Sequence, residues 1–189
     1  RYIGLSLHSP AENNFIPVDL YGNGMVIAEN TDSFWSVGAG KTLSLGGSDK
    51  FALRLDGVYT TRRTDLDVPR NNELAGTVGL VTPLVTPFVG YTYDWRLEQN
   101  GLTFGLTKSY SIELQGEEWF TLAPKVAYHV FEDYESVEAG ARLALTKWQL
   151  SPFVGVNYVD NDFDTQNFNF ATDEVDGDVI WTGGLSINF

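Results

Sequence analysis

Apolar side chains recur at every second position along most of the chain, and no sustained 3.6-residue stripe appears. Ile3, Leu5 and Leu7 share one face of a first segment. Trp35, Val37, Ala39, Leu43 and Leu45 share a face in the second, with Lys41 interrupting it. Gly46-Gly47-Ser48-Asp49-Lys50 then marks a turn, followed by Phe51, Leu53, Leu55 and Tyr59 opposite Arg54, Asp56, Thr60 and Arg62. The fourth segment carries Leu74, Gly76, Val78 and Leu80. The fifth sets Val89, Tyr91, Tyr93, Trp95 and Leu97 against Gly90, Thr92, Asp94 and Arg96. Leu102, Phe104, Leu106, Tyr110 and Ile112 form the sixth, with Lys108 as an exception. Gly116-Glu117-Glu118 turns the chain into Phe120, Leu122, Val126, Tyr128 and Val130, opposite Thr121, Lys125 and His129. Three more segments follow the same rule: Val137–Leu145 opposite Ser136, Glu138, Gly140 and Arg142; Leu150–Tyr158 opposite Ser151, Gly155 and Asn157; and Val179–Phe189.

The ten segments predict ten strands. Their linkers alternate in kind. Stretches 46–50, 83–87, 115–118 and 146–148 are compact, whereas 9–32, 63–72 and 160–174 are long and polar; 98–101 and 132–135 are short exceptions. Compact turns at one end and longer loops at the other are the layout of a membrane barrel. The expected fold is one all-β domain over 1–189, an antiparallel transmembrane β-barrel of about ten strands, with both termini on one side. Eight strands is the runner-up, and twelve results if Phe15–Tyr21 and Met25–Asn30 form an extra hairpin around Gly22-Asn23-Gly24.

Alternation alone also fits a soluble barrel or sandwich with the apolar face inward. The opposite face decides for an inverted arrangement. It mixes Gly, Ser and Thr with both signs of charge, and small residues make room for long charged ones in a narrow lumen. Aromatic placement agrees. Trp35, Tyr59, Trp95, Tyr128 and Tyr158 fall near the loop ends of strands, and Phe51, Phe120, Trp148 and Phe189 near the turn ends, as two interfacial girdles require. The longest apolar run, Met25-Val26-Ile27-Ala28, is far short of the roughly 20 residues of a spanning helix. A barrel strand needs no such run. No apolar leader precedes the first segment, as expected where one has been removed. The net charge of −13 argues against a nucleic-acid partner, and the absence of cysteine excludes disulfides, thiolate zinc and thiol catalysis.

The end of the chain, Leu185-Ser186-Ile187-Asn188-Phe189, resembles the terminal signal of Gram-negative outer-membrane barrels, a final Phe preceded by apolar residues at alternate positions. Tyr is commoner than Ile at the position of Ile187. The whole chain resembles the small OmpA/OmpW-type size class. That resemblance implies a bacterial outer-membrane location and reading of Leu185, Ile187 and Phe189 by the assembly machinery. It also implies contact with membrane lipid and lipopolysaccharide, and a role as structural anchor, adhesin, narrow pore or lipid-modifying enzyme. Extracellular or outer-membrane protein partners would meet loops 9–32 and 160–174.

Three clusters are candidates for chemistry. His129 faces Ser136 across a hairpin, with Glu138 next inward; the set resembles the triad of lipid A deacylase barrels, but His-x6-Ser is a generic spacing and the group points into the lumen, so no enzymatic role is expected. Asp160, Asp162 and Asp164 alternate like the start of a calcium loop within seven acidic residues of 160–178. Thr165 stands where such a loop needs Gly, and no resident cofactor is expected beyond a loosely held divalent cation. The inward charges Arg54, Asp56, Asp94, Arg96, Lys125, Glu138 and Arg142, joined by Arg62 and Glu113, nearly balance. Buried charges must be paired, so they predict a salt-bridged, largely plugged lumen. The expected function is a structural or surface-interaction role through the loops, with a narrow solute pore and a lipid-modifying enzyme as alternatives.

Overall fold

The computed structural model describes residues 2–27, 33–46, 48–63, 71–96, 98–132, 134–163 and 178–188. Strands dominate: β1 (Tyr2–Ser9), β2 (Asp19–Ile27), β3 (Ser33–Leu45), β4 (Ser48–Arg63), β5 (Asn71–Val81), β6 (Thr86–Asp94), β7 (Gln99–Thr107), β8 (Tyr110–Leu114), β9 (Glu117–Phe131), β10 (Tyr134–Leu145), β11 (Leu150–Phe163) and β12 (Asp178–Asn188). Apart from β7 and β8, which do not pair with each other, each pairs with its chain neighbours, and β12 returns to β1, so the sheet closes. β7 and β8 are two stretches of one strand broken at Lys108-Ser109. Both lie against β9, β7 on Lys125–Phe131 and β8 on Glu117–Leu122. The result is a closed barrel of eleven strands.

The count agrees with the expected barrel of about ten to twelve strands, and exceeds ten because the stretch 9–32 is not one loop. Gly22-Asn23-Gly24 is no hairpin tip either; it lies mid-strand in β2, paired with Leu5, Ser6 and Leu7 on one side and with Trp35, Ser36 and Val37 on the other. Alternation persists there in hidden form. Asp19, Tyr21 and Asn23 point inward, while outward Gly22 and Gly24 leave the apolar face without side chains. The Trp35 indole covers the gap, 3.6 Å from where a Cβ on Gly24 would stand. An odd count forces a correction to the all-antiparallel pairing and to the expected side of the termini. The barrel is mixed, with every pairing antiparallel except β1 with β12, which run parallel from Tyr2↔Thr182 to His8↔Asn188. Tyr2 and Asn188 therefore lie at opposite rims rather than on one side.

Connections β2–β3, β4–β5, β6–β7, β9–β10 and β11–β12 leave one rim, the loop rim; the others leave the turn rim. The β8–β9 turn places Gln115 at φ +57° and Gly116 at φ +80°, the two left-handed residues of a type I′ hairpin. The β1–β2 connection, 10–18, also lies at the turn rim. Asn14 ties it down, donating to the carbonyls of Ser9, Pro10 and Val18 at 3.0, 3.1 and 2.8 Å.

The barrel is inside-out. Large apolar side chains stand exposed all round the wall, from Ile3 and Leu5 through Leu55, Leu74, Val78, Tyr91, Phe104 and Val126 to Leu143, Val154 and Trp181. The buried side chains among the described residues are mostly polar: Ser6, Ser36, Asp94, Gln99, Thr103, Ser136 and Ser151, beside Ala52, Ala127 and Phe153. Inward glycines are seats for large neighbours. Tyr21 lies across Gly38, and Phe88 lies across Gly105, where a Cβ would also stand 2.6 Å from the carbonyl oxygen of Val126.

Candidate functional site

The lumen wall and the outer belt are the two surfaces with chemistry to offer. Strand parity sends Asp19, Tyr21, Arg54, Asp56, Asp94, Lys125, His129, Glu138 and Arg142 inward, and their partners follow from register. Gly40 pairs with Asp56, and Gly40 also faces Asp19 on the other side. The lack of a side chain at Gly40 lets Arg54 reach across β3. Its Nε donates to both Asp56 carboxylate oxygens at 2.9 and 3.0 Å, its Nη2 to Asp56 Oδ1 at 2.7 Å, and its Nη1 to Asp19 and to Thr42 Oγ1 at 3.2 Å. Tyr21 donates its hydroxyl to Asp56 at 3.3 Å, and Asp19 also accepts the Ala11 backbone N–H at 2.9 Å. One guanidinium thus holds two carboxylates from two strands.

A second cluster spans β7, β9 and β10. Lys125 Nζ donates to Glu138 Oε2 at 2.7 Å, and His129 Nε2 lies 3.5 Å from that same oxygen. His129 Nδ1 is 2.9 Å from Thr103 Oγ1. Ser136 does stand opposite His129 in register, as the sequence predicts. The two ring nitrogens are engaged with Thr103 and Glu138 rather than with Ser136. Toward the loop rim, Asp94 is 4% exposed. It accepts Asn71 Nδ2 at 2.7 Å and the Arg96 backbone N–H at 2.9 Å, with Glu73 opposite it in register.

Arg142 departs from the expected pairing. No carboxylate among the described residues lies within ion-pair distance. Its guanidinium sits 3.9 Å above the Phe153 ring, and its buried Nε has no partner. Register explains this: its cross-strand neighbours are Ala123 and Gly155, and the nearest inward acid on its own strand, Glu138, is held by Lys125 and His129. The inward charges are therefore separate clusters along the wall rather than one connected network.

On the outside, Trp35, Tyr59, Trp95, Tyr128, Trp148 and Tyr158 are all exposed. Tyr59, Tyr93 and Trp95 meet edge to face, with centroids at 6.2 Å (Tyr59–Trp95) and 5.6 Å (Tyr93–Trp95). At the turn rim Lys147 hydrogen-bonds Glu117 at 2.5 Å, holding that carboxyl below its ordinary range. Leu185 and Ile187 point outward on β12, and Phe189 lies outside the described residues. Asp160 and Asp162 belong to β11 rather than to a loop, while Asp164 and the rest of the acidic stretch to 177 lie outside the described residues. Asp19, Tyr21, Thr103, Asn71 and Phe153 join the lumen set unforeseen. A strand reading of 19–27 would have found the first two.

No protein-family model matches this chain, and no curated protein or solved structure matches it.

Proposed function

We propose that the chain is an integral outer-membrane β-barrel of the small OmpA/OmpW-like class, with a structural or surface-interaction role carried by its loop rim. The observation behind this reading is the outward belt. Water-soluble monomers rarely expose contiguous apolar surface beyond a few hundred Å², whereas here every strand turns large apolar side chains outward over a polar interior. Outward rings such as Trp35, Trp95 and Trp148 stand toward the strand ends, as a bilayer interface favours. In this reading the partners are membrane lipid and lipopolysaccharide, the assembly machinery at Leu185, Ile187 and Phe189, and surface proteins at the loop rim.

The test is a charge in the belt. Folded protein in detergent should run differently from boiled protein on a gel, and Leu143→Arg should lower stability in lipid by about 2–4 kcal/mol. Unchanged stability of Leu143→Arg in lipid vesicles would overturn the membrane reading. A narrow pore is the second reading. It is favoured by ion pairs that run along the wall and by Arg142, whose charge no acid among the described residues neutralises. Stable single-channel currents in planar bilayers would promote it over a plugged lumen.

A further inference from the structure

Two lysines interrupt the outward belt, and the fold treats them differently. Lys108, at the break between β7 and β8, donates its Nζ to the carbonyls of Pro83 at 2.6 Å and Thr82 at 3.3 Å. Lys41 stands exposed on β3 between Ala39 and Leu43. Among the described residues no carboxylate lies within ion-pair distance of it. A bare ammonium on a lipid-facing wall is costly, and the cost grows with depth.

The wall beside Lys41 is concave. β2 ends at Asp19, level with Gly40, while β3 and β4 run on toward the turn rim. Outward rungs of that hairpin read Lys41–Leu55, Ala39–Gly57, Val37–Tyr59 and Trp35–Thr61. The Ala39–Gly57 rung carries one methyl group, and a shallow, open hollow of about 210 Å³ lies there, with Val18, Lys41, Leu55 and the Arg54-bound Asp56 in its lining. Further along the same strands a second hollow of about 390 Å³ lies between Trp35, Val37 and Tyr59. Six residues separate Lys41 from Trp35, about 20 Å of strand, against roughly 15 Å for half of a bilayer's hydrocarbon core.

We propose that this groove seats one glycerophospholipid from the leaflet on the turn-rim side. An acyl chain lies along Ala39 and Gly57, and the phosphate rests on Lys41. The inference rests on the membrane reading above. Charge complementarity selects the occupant. The lysine stem follows the apolar wall and its ammonium reaches toward the interface, where a phosphate oxygen is the available anion. A second copy of the chain is the rival occupant. Among the described residues the outward belt offers it no carboxylate away from the strand ends, so docking would bury Lys41 unpaired.

Protein refolded in neutral detergent is offered phosphatidylglycerol, and retained lipid is read by native mass spectrometry. One lipid per barrel is expected. Lys41→Gln should weaken retention about tenfold, the loss of one charge-assisted contact, while Lys108→Gln leaves it unchanged. Gly57→Leu should abolish retention with Lys41 still in place; a Cβ there meets nothing within 4 Å, so the variant should fold, as its heat shift on a gel checks. Equal retention by the original protein and Lys41→Gln, or none by the original, overturns the site. A dimer mass that Gly57→Leu removes assigns the groove to a second copy instead. Protein that fails to enter lipid vesicles sinks the membrane reading itself, whereas protein that enters and holds no phosphatidylglycerol sinks only this site.

Discussion

The lumen has two halves that handle positive charge in opposite ways. On the β2–β4 side, Arg54 is held by Asp19 and Asp56 over the bare backbone of Gly40. On the β9–β11 side, Arg142 has a ring beneath it and, among the described residues, no carboxylate beside it, because Glu138 is taken by Lys125 and His129. The first arrangement cross-links strands. The second leaves a positive charge that no carboxylate among the described residues answers. Nearly balanced numbers of opposite charges therefore do not imply a paired lumen; pairing is decided by which inward positions fall side by side in register.

The largest expected effect is on the first half. Arg54→Ala leaves two carboxylates facing each other without a cation, which should cost about 3 kcal/mol, measured as the shift of the urea unfolding transition in lipid. The figure sits at the lower end for buried pairs because the Arg54 side chain keeps 25% of its exposure. Asp19→Asn with Asp56→Asn in the same chain should restore most of the loss. If Arg54→Ala unfolds like the original protein, the cross-link is not structural.

Gly40→Ala comes next. Its new Cβ would fall on the Arg54 guanidinium, and such overpacking costs about 1–3 kcal/mol. Gly57→Ala, one rung away but facing outward into open space, should stay within about 0.5 kcal/mol. Equal losses at the two sites would show that backbone freedom, not the seat for Arg54, fixes these glycines.

Among the lumen charges the smaller effect is expected for Arg142→Ala. It removes a cation–π contact of about 0.5–1 kcal/mol and also an unsatisfied buried N–H, so the net loss should stay under about 1 kcal/mol. If the barrel conducts, the same variant should shift the reversal potential toward cations. A loss as large as that of Arg54→Ala would mean that Arg142 has an acidic partner after all.

The facing of the strands was legible because outward positions carry large apolar side chains at period two. Leu55, Val78, Tyr91 and Leu143 could be placed on the outer wall from that alone. β2 was not legible. Its outward positions 22 and 24 are glycines, the alternation there has no apolar amplitude, and Gly22-Asn23-Gly24 carries the chemistry of a turn. What overrides that local preference is pairing on both edges, with β1 and β3. The strand parity and the termini followed that one omission. The lumen residues were legible as types and not as partners. Alternation says that Arg142 points in, but only the stagger between β9, β10 and β11 says that Ala123 and Gly155 flank it.

The parallel seam bears on how the barrel is made. Every other strand pair joins neighbours in the chain and can zip from its own turn. β1 and β12 are joined only by bringing together segments about the whole chain apart, and Gly184 meets the Gly4 carbonyl so closely there that no side chain could intervene. Loop closure over such a distance must be met before any seam hydrogen bond forms, and non-local pairing of this kind slows folding. An open, curled sheet with ten finished strand junctions is thus the natural predecessor of the closed molecule. Until the seam shuts, its two ragged edges are the surface most exposed to capture by another strand.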